Sequence, residues 1–449
     1  MIEKWQMTEE DIKLRFITPA IEAKWLNNIT METKITDGRF NLRGNMLFRE
    51  KPKRADYILY IDSNNPIAVV EAKDNRHAVS DGIQQAISYA QMLDVPFAYS
   101  SNGDAFYEHN FLTGEERELA LDDFPSLEEL LDRYQASKNM SENEKKILRQ
   151  PYYTSQNTHE PRYYQRNAIN RTLNAIAKGQ QRLLLVMATG TGKTYTAFQI
   201  VYRLLKSGMV KKVLYLADRN FLVDKSISDD FAPLKNTIHK INYIREDPIT
   251  ITSHEVYFSL YQQLAESGDD EDEQDENEGI SRLAELFRKD FFDLIIVDEC
   301  HRGSAKRDSS WRRILEYFSS SVQIGMTATP KETKEVSNIT YFGDPVYTYS
   351  LKQGIDDGFL APYKVIRIGL DKDLEGWRPY KGQVDIYGNE IEDREYNLSD
   401  YDRNLVIDER TQAVANRITK WLIANGRYNK TIVFCVDIDH AASMRQALI

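Results

Sequence analysis

At 449 residues the chain is too long for one domain and suits two to four. No stretch approaches the ~20 apolar residues of a membrane span, and the polar opening MIEKWQMTEEDIK has no export core. Only two cysteines occur, Cys300 and Cys435, which argues against a disulfide framework or zinc site and for a reducing cytoplasm. The net charge of −11 excludes nothing about nucleic acid, because eight acidic residues between Asp269 and Glu278 supply most of it.

In chain order, Glu9, Glu10 and Asp11 open a first helix, a place that favours acidic side chains. RADYILYIDSNNPIAVVEAK then reads as two apolar strands joined by a polar turn around Asp62–Asn65. Pairing Ile61 with Pro66 sets Asp56 opposite Glu71, and Lys73 falls on the same face as Glu71. Asp56 and Glu71, with the Ala72 carbonyl, are suited to ligate Mg2+ through oxygen. Lys73 is suited to orient water or stabilise developing charge. The bare spacing also occurs in hairpins that merely have charged ends; its placement after an apolar strand favours the site. SDGIQQAISYAQML follows as a helix burying Ile83, Ala86, Ile87 and Ala90, with Gln85 and Tyr89 on another side, free to face DNA.

Residues 135–158 are polar and poor in apolar periodicity, the expected linker between a first domain at 1–134 and a second at 159–355. In the second, LLLVMA, KVLYLAD, DLIIVDE and VQIGMTA are short apolar strands separated by helices or loops, the pattern of a parallel sheet buried on both faces. LLLVMATGTGKT passes from strand through a turn (Thr189, Gly190, Thr191, Gly192) into the helix TYTAFQIVYRLL. The two glycines let backbone N–H groups face a phosphate, and the helix N-terminus adds its positive end. Lys193 would reach the β/γ-phosphates and Thr194 would offer its hydroxyl to Mg2+. Met187 stands where the strict phosphate-loop pattern has a glycine. FFDLIIVDECH ends in Asp298, suited to hold the metal, and Glu299, suited to polarise the attacking water. ATP hydrolysis is the chemistry these two strand ends imply. The acidic segment 267–280 is expected to be a disordered loop. Residues 356–449 read as the truncated beginning of a further α/β unit, with strands at YKVIRIGL and KTIVFCVD and a helix at DERTQAVANRITKWLIA.

MATGTGKT, DECHR and TATP resemble motifs I, II and III of superfamily 2 helicases and translocases, with a DEAH-like motif II. The resemblance implies a RecA-like doubly wound sheet with the ligand at the C-terminal strand ends. It also implies adenine-side contacts from Arg162 and Gln165, and nucleic-acid backbone contacts from the segment holding Asp218, Arg219 and Asn220. His301, Thr327 and Thr329 would couple nucleotide state to DNA. KTIVFCVDIDHA is similar to motif IV of a second RecA-like lobe, whose arginine finger is expected beyond Ile449; the chain is therefore expected to bind ATP but hydrolyse it poorly.

The hairpin and the helix carrying Gln85 and Tyr89 resemble a PD-(D/E)xK nuclease of the RecB-like kind, with Ala55 in place of the usual proline before Asp56. Related nucleases often carry a further metal-site carboxylate on the first helix. Glu9, Glu10 and Asp11 all stay open for that role, with Glu10 carried as the accessory candidate. A RecB-like nuclease directly followed by a superfamily 2 motor is similar, through essentially the whole chain, to the restriction subunit of type I restriction-modification enzymes. That resemblance implies ATP-driven translocation of double-stranded DNA, Mg2+-dependent cutting, and docking on modification (methyltransferase) and specificity subunits. The alternatives are a stand-alone helicase-nuclease of DNA repair and a non-enzymatic DNA-binding scaffold with decayed motifs. Intact Asp56, Glu71, Lys73, Lys193, Asp298 and Glu299 argue against decay.

Overall fold

The computed structural model describes residues 3–43, 46–62, 65–156, 158, 160–241, 251–260, 286–300, 305–329, 338–368, 378–380, 382–383, 390–391 and 408–449. The acidic segment 267–280 and His301 lie outside them. The chain divides into two compact units, Met1–Pro362 and Tyr363–Ile449.

The first unit holds two sheets. The N-terminal one comprises β1 (Ile29–Lys34), β4 (Arg54–Tyr60), β5 (Pro66–Ala72), β6 (Phe97–Ser101), β7 (Ala105–Asn110) and β8 (Glu116–Ala120), hydrogen-bonded in the order β1-β4-β5-β6-β7-β8. A short ribbon of β2 (Phe40–Arg43) and β3 (Met46–Arg49) stands beside it. All its sheet pairings are antiparallel except β5–β6, which needs a crossover, and α3 (Ile83–Leu93) supplies it. Alternation sends Tyr57, Leu59, Ala68 and Val70 to one face, against Ile12, Ile17, Ile21 and Trp25 from the N-terminal helices α1 (Glu9–Ile12) and α2 (Thr18–Trp25) and the turn between them. Ile58, Tyr60 and Val69 go to the other, against Ile83, Ala86 and Ala90 of α3, with Ile87 partly buried beside them. The hairpin differs from the expected register at its tip. Tyr57, Ile58 and Leu59 pair with Val70, Val69 and Ala68, but an irregularity puts Tyr60 against Pro66, and Ile61 donates its N–H to the Asn65 carbonyl instead. The slip lies between Leu59 and the turn, so the Asp56 end keeps its alignment.

The second sheet comprises β9 (Arg182–Met187), β10 (Val213–Ala217), β11 (Ile238–Lys240), β12 (Val256–Leu260), β13 (Leu294–Val297), β14 (Val322–Thr327) and β15 (Pro345–Tyr349), in the order β11-β12-β10-β13-β14-β9-β15. Every pairing in it is parallel. Leu183, Leu185, Tyr215 and Ile296 pack on one face with α6 (Tyr163–Ala177) and α7 (Lys193–Ser207). Leu184, Leu216, Ile295 and Val297 pack on the other with Trp311, Ile314 and Leu315 of a helix spanning Ala305–Tyr317. Burial on both faces is why these strands read as unbroken apolar runs.

The stretch read as a linker is not loose. α4 (Leu127–Lys138) ends in it, and α5 (Glu142–Leu148) forms there behind a Ser141–Glu144 capping box, with Ile147 and Tyr152 buried in the core of the second sheet. Two apolar anchors, too few to show periodicity, suffice to seat it.

In the second unit, helices spanning Asp408–Asn425 and Ile438–Leu448 pack on each other. The strands expected at YKVIRIGL and KTIVFCVD do not form over residues 363–368 and 430–437, and Val365, Ile432 and Phe434 are exposed. A strand exists only through ladder partners, and the described residues of this unit offer none.

Candidate functional site

At the C-terminal end of β9 the chain turns through Thr189–Gly192 and enters α7 at Lys193. Gly190 and Gly192 both have positive φ, +83° and +79°. Gln165 straps this turn to the start of α6: its Oε1 accepts the Arg162 N–H at 2.9 Å and its Nε2 donates to the Thr191 carbonyl at 2.9 Å. The Tyr164 hydroxyl donates to the same carbonyl at 3.1 Å, and the Thr191 hydroxyl closes on the Ala188 carbonyl at 2.6 Å. The Arg162 guanidinium lies over the Phe359 ring at 4.5 Å.

β13 delivers Asp298 and Glu299 two strands away from β9. Lys193 Nζ is 3.2 Å from Glu299 Oε1, and Glu299 reaches it with a φ of +51°, a conformation few side-chain-bearing residues adopt. Asp298 is buried; burial and then the Glu299 charge raise its pKa, while Lys193 and the Tyr215 hydroxyl oppose them. That hydroxyl donates to Asp298 Oδ2 at 3.0 Å and also hydrogen-bonds Thr194, so one buried tyrosine joins the two groups suited to hold Mg2+. The sequence offered no signal for Tyr215 beyond a polar tip in an apolar strand. β14 lies between β9 and β13, and at its end Thr327 and Thr329 close a small turn, with hydroxyl-to-carbonyl and N–H-to-hydroxyl distances of 3.0 and 3.1 Å. Arg219 and Asn220 follow Asp218 at the end of β10, where Asn220 begins a helix running to Ser228.

In the N-terminal sheet Asp56 and Glu71 meet. The Asp56 N–H donates to Glu71 Oε1 at 3.3 Å, and Asp56 Oδ2 accepts the Ala72 N–H at 2.8 Å. Glu71 is buried, and burial together with the Asp56 charge pushes its carboxyl up to about 8, with Lys73 pulling the other way. Lys73 makes no ion pair among the described residues and is partly exposed. Gln85 Nε2 and the Tyr89 hydroxyl are 3.4 Å apart on α3, and burial and then the Glu71 charge raise the Tyr89 pKa.

Of the first-helix acids, Asp11 is taken up by the Thr8 capping box. Glu9 and Glu10 instead ring a lysine that sequence reading passed over. Lys13 Nζ lies 2.5 Å from Asp56, 2.8 Å from Glu32, 3.2 Å from Glu10 and 3.5 Å from Glu9. Glu10 thus reaches the Asp56 carboxylate through Lys13 rather than directly. Burial works against the Lys13 charge, but hydrogen bonds with Asp56 and Glu32 outweigh it and hold the ammonium protonated above its ordinary range.

Among the described residues no three His, Cys, Asp or Glu side chains converge as a metal cage. The donor set suits Mg2+ nonetheless, since that ion keeps several waters and is commonly held by one or two carboxylates. A buried carboxylate and a half-buried one that repel each other enough to displace one pKa are the groups such a cation relieves. At the other site, a carboxylate, a hydroxyl and a lysine beside a glycine turn suit Mg2+ with a nucleotide phosphate.

Among the described residues no helix is long and apolar enough to cross a membrane. The family described as "Type III restriction enzyme, res subunit" matches residues 158–332, and that described as "Type I restriction enzyme R protein N terminus" matches residues 21–125. The chain is 50% identical over 450 residues to the type I restriction enzyme EcoAI endonuclease subunit of Escherichia coli, covering 99% of this chain and 54% of that protein. It is 29% identical over 467 residues to the EcoKI endonuclease subunit of the same species, covering 86% of this chain and 38% of that protein. The chain thus spans about half or less of the length of these two curated relatives. A solved fragment assigned as the HsdR subunit of a type I restriction enzyme from Vibrio vulnificus superposes with a TM-score of 0.74 at 38% identity, covering 98% of this chain and 74% of that one.

Proposed function

The chain belongs to the HsdR family, the endonuclease subunits of type I restriction enzymes, and from that premise we propose that it contributes an ATP-dependent double-stranded DNA translocase and a Mg2+-dependent endonuclease. The observation that carries this reading is the meeting of Asp56 and Glu71, with the Lys73 charge acting on Glu71, in the same compact unit as Lys193, Asp298 and Glu299. On this reading the first sheet is a PD-(D/E)xK nuclease, the second a RecA-like motor lobe, and residues beyond Pro362 begin a second lobe. The partners are double-stranded DNA and the modification and specificity subunits.

In the motor, the Lys193–Glu299 ion pair opens when phosphate arrives. Lys193 then neutralises phosphate oxygens, and the freed Glu299 carboxylate polarises the attacking water. Thr194 and Asp298 would hold Mg2+, which spreads the charge of the phosphates. Arg162 and Gln165 set the adenine side, and Thr327 and Thr329, at the end of the strand between β13 and β9, would couple nucleotide state to DNA. In the nuclease, Asp56 and Glu71 would hold Mg2+, which would supply Lewis-acid activation of water and of the scissile phosphate. Lys73, which makes no ion pair among the described residues, stabilises the charge that develops on the phosphate, while Gln85 and Tyr89 position the strand.

The test is plasmid cleavage by the full-length subunit assembled with its modification and specificity partners, with ATPase followed in the same tubes. Lys73→Ala should keep DNA-stimulated ATPase and lose cutting by at least a hundredfold; Lys193→Ala should lose both. Cutting that survives Lys73→Ala would place the nuclease elsewhere.

A further inference from the structure

Three neighbouring strands align three acids in one row. Met31 and Thr33 of β1 pair with Tyr57 and Ala55 of β4, so Glu32 stands opposite Asp56. On the far side, Tyr57 pairs with Val70, which sets Asp56 beside Glu71. Like charges directly opposite each other across a sheet are destabilising, and the row Glu32–Asp56–Glu71 has two such gaps. One gap is bridged: Lys13 Nζ lies 2.8 Å from Glu32 and 2.5 Å from Asp56, with its side chain 3% exposed.

Two departures from regular backbone meet at that bridge. Lys13 opens a π-helical turn, Lys13–Ile17, between two α-helical segments, and such turns recur at functional sites. Glu32 has a φ of +51° within β1, which breaks the ladder where it faces Asp56. A strand with a helix packed over it requires neither. Both act on the same pair of groups, one aiming the ammonium down at the sheet and the other re-aiming the carboxylate to receive it. The second gap, between Asp56 and Glu71, has no such bridge; Asp56 N–H and the Ala72 N–H are the donors there.

We propose that Lys13 is a positioning residue of the nuclease, a permanent cation filling the Glu32–Asp56 gap so that the site takes one divalent ion, between Asp56 and Glu71, and not two. Lys13 acts through the carboxylates it holds. It fixes one oxygen of Asp56, while the Ala72 N–H fixes the other, and so sets the orientation in which Asp56 meets the metal. An ammonium carries one charge and donates three hydrogen bonds; Asp56, Glu32 and Glu10 are its three nearest acceptors, and Glu9 is attracted without being needed as a fourth.

The inference rests on the nuclease reading, and one titration separates the two. Mn2+ binding to the nucleotide-free chain is followed by electron paramagnetic resonance in the wild type, Asp56→Asn, Lys13→Met and Lys13→Arg. The wild type should bind one ion that Asp56→Asn loses. Lys13→Met should bind two such ions, and Lys13→Arg one. Lys13→Met should also melt lower than the wild type in EDTA and recover on adding Mn2+, which a lysine with only a packing role would not produce. Two Asp56-dependent ions in the wild type, or one in Lys13→Met with unchanged affinity, would overturn the proposal while leaving the nuclease reading standing. No Asp56-dependent ion in any variant would sink both. Should Lys13→Met fail to fold, acylation of lysines in the wild type decides: Lys13 stays protected with and without Mn2+, and labelling that rises on adding Mn2+ shows a placeholder displaced by the metal and overturns the proposal.

Discussion

Gly192 carries more constraint than its size suggests. With φ at +79°, it also leaves no room for a methyl group, since a Cβ there would lie 2.5 Å from Gln165 Nε2. Gly192→Ala must strain the backbone by roughly 1 kcal/mol or more and push away the side chain that ties Arg162 to Thr191. The expected result is at least a tenfold loss of affinity for a fluorescent ATP analogue with little change in the melting temperature; unchanged binding would mean the Gln165 strap is incidental. Glu108, on β7 two strands across from Val70, makes a different case. It is buried, accepts hydrogen bonds from Arg133 at 2.6 Å, Tyr99 at 2.6 Å and Arg117 at 3.1 Å, and is held below its ordinary pKa although burial alone would raise it. A carboxylate with a lowered folded-state pKa stabilises the fold above its unfolded pKa of ~4.3 and loses that contribution as pH falls through the folded value. Glu108→Gln should therefore melt well below the wild type at pH 7, by roughly 3–5 kcal/mol, and the gap should close as melts are repeated toward pH 3.5. A gap constant with pH would show that packing, not charge, is what the substitution removes.

At the scale of elements, α5 shows how little sequence signal a seated helix needs. Arg203 of α7 is buried, donates to the Ile147 carbonyl at 2.8 Å and Asn170 Oδ1 at 2.7 Å, and lies over the Tyr152 ring at 4.4 Å. Gln199 adds two bonds to the Tyr153 backbone, each 3.0 Å. Two polar side chains of α7 thus anchor the stretch that composition marks as linker. Arg203→Ala should release it: amide hydrogen exchange across residues 142–153 is expected to speed up at least tenfold while β9 and β10 keep their protection. Uniform exchange would argue that α5 is held by Ile147 alone. The hairpin teaches the converse. Period-2 alternation gave its core-facing residues and the Asp56–Glu71 alignment, but not the irregularity at Tyr60, which depends on how the Asp62–Asn65 turn closes: Asn65 Nδ2 donates both to Asp62 at 2.8 Å and to the Leu148 carbonyl of α5 at 3.0 Å.

At the scale of the whole first unit, the N-terminal and second sheets are joined by a backbone-tight contact. The Asp37 N–H donates to the Asp357 carbonyl at 2.9 Å, and Arg49 Nη2 to the Gly358 carbonyl at 3.3 Å. The hydroxyls of Tyr163 and Tyr349 both donate to the Asp357 carboxylate. Gly358 has a φ of +78°, and a Cβ on it would fall 1.9 Å from the Gly38 carbonyl oxygen. Gly358→Ala should part the two sheets with each still folded, seen as a melt that splits into two steps and as faster proteolysis within residues 37–50. A single melt at the wild-type temperature would count against this joint.

The sequence by itself determined the parallel sheet and which candidate side chains share a strand end, because each motif lies within one strand–turn–helix or one hairpin. Over so short a span, spacing and periodicity dictate which side chains share an end. Only the tertiary structure decided which remote groups complete them. Lys13, Glu32 and Tyr215 come from other strands and helices, and a local pattern carries no record of them. The runs at 363–368 and 430–437 were misread for the same reason: apolar content makes a strand possible, but its hydrogen bonds belong to a neighbour, and neighbours are assigned by the fold as a whole.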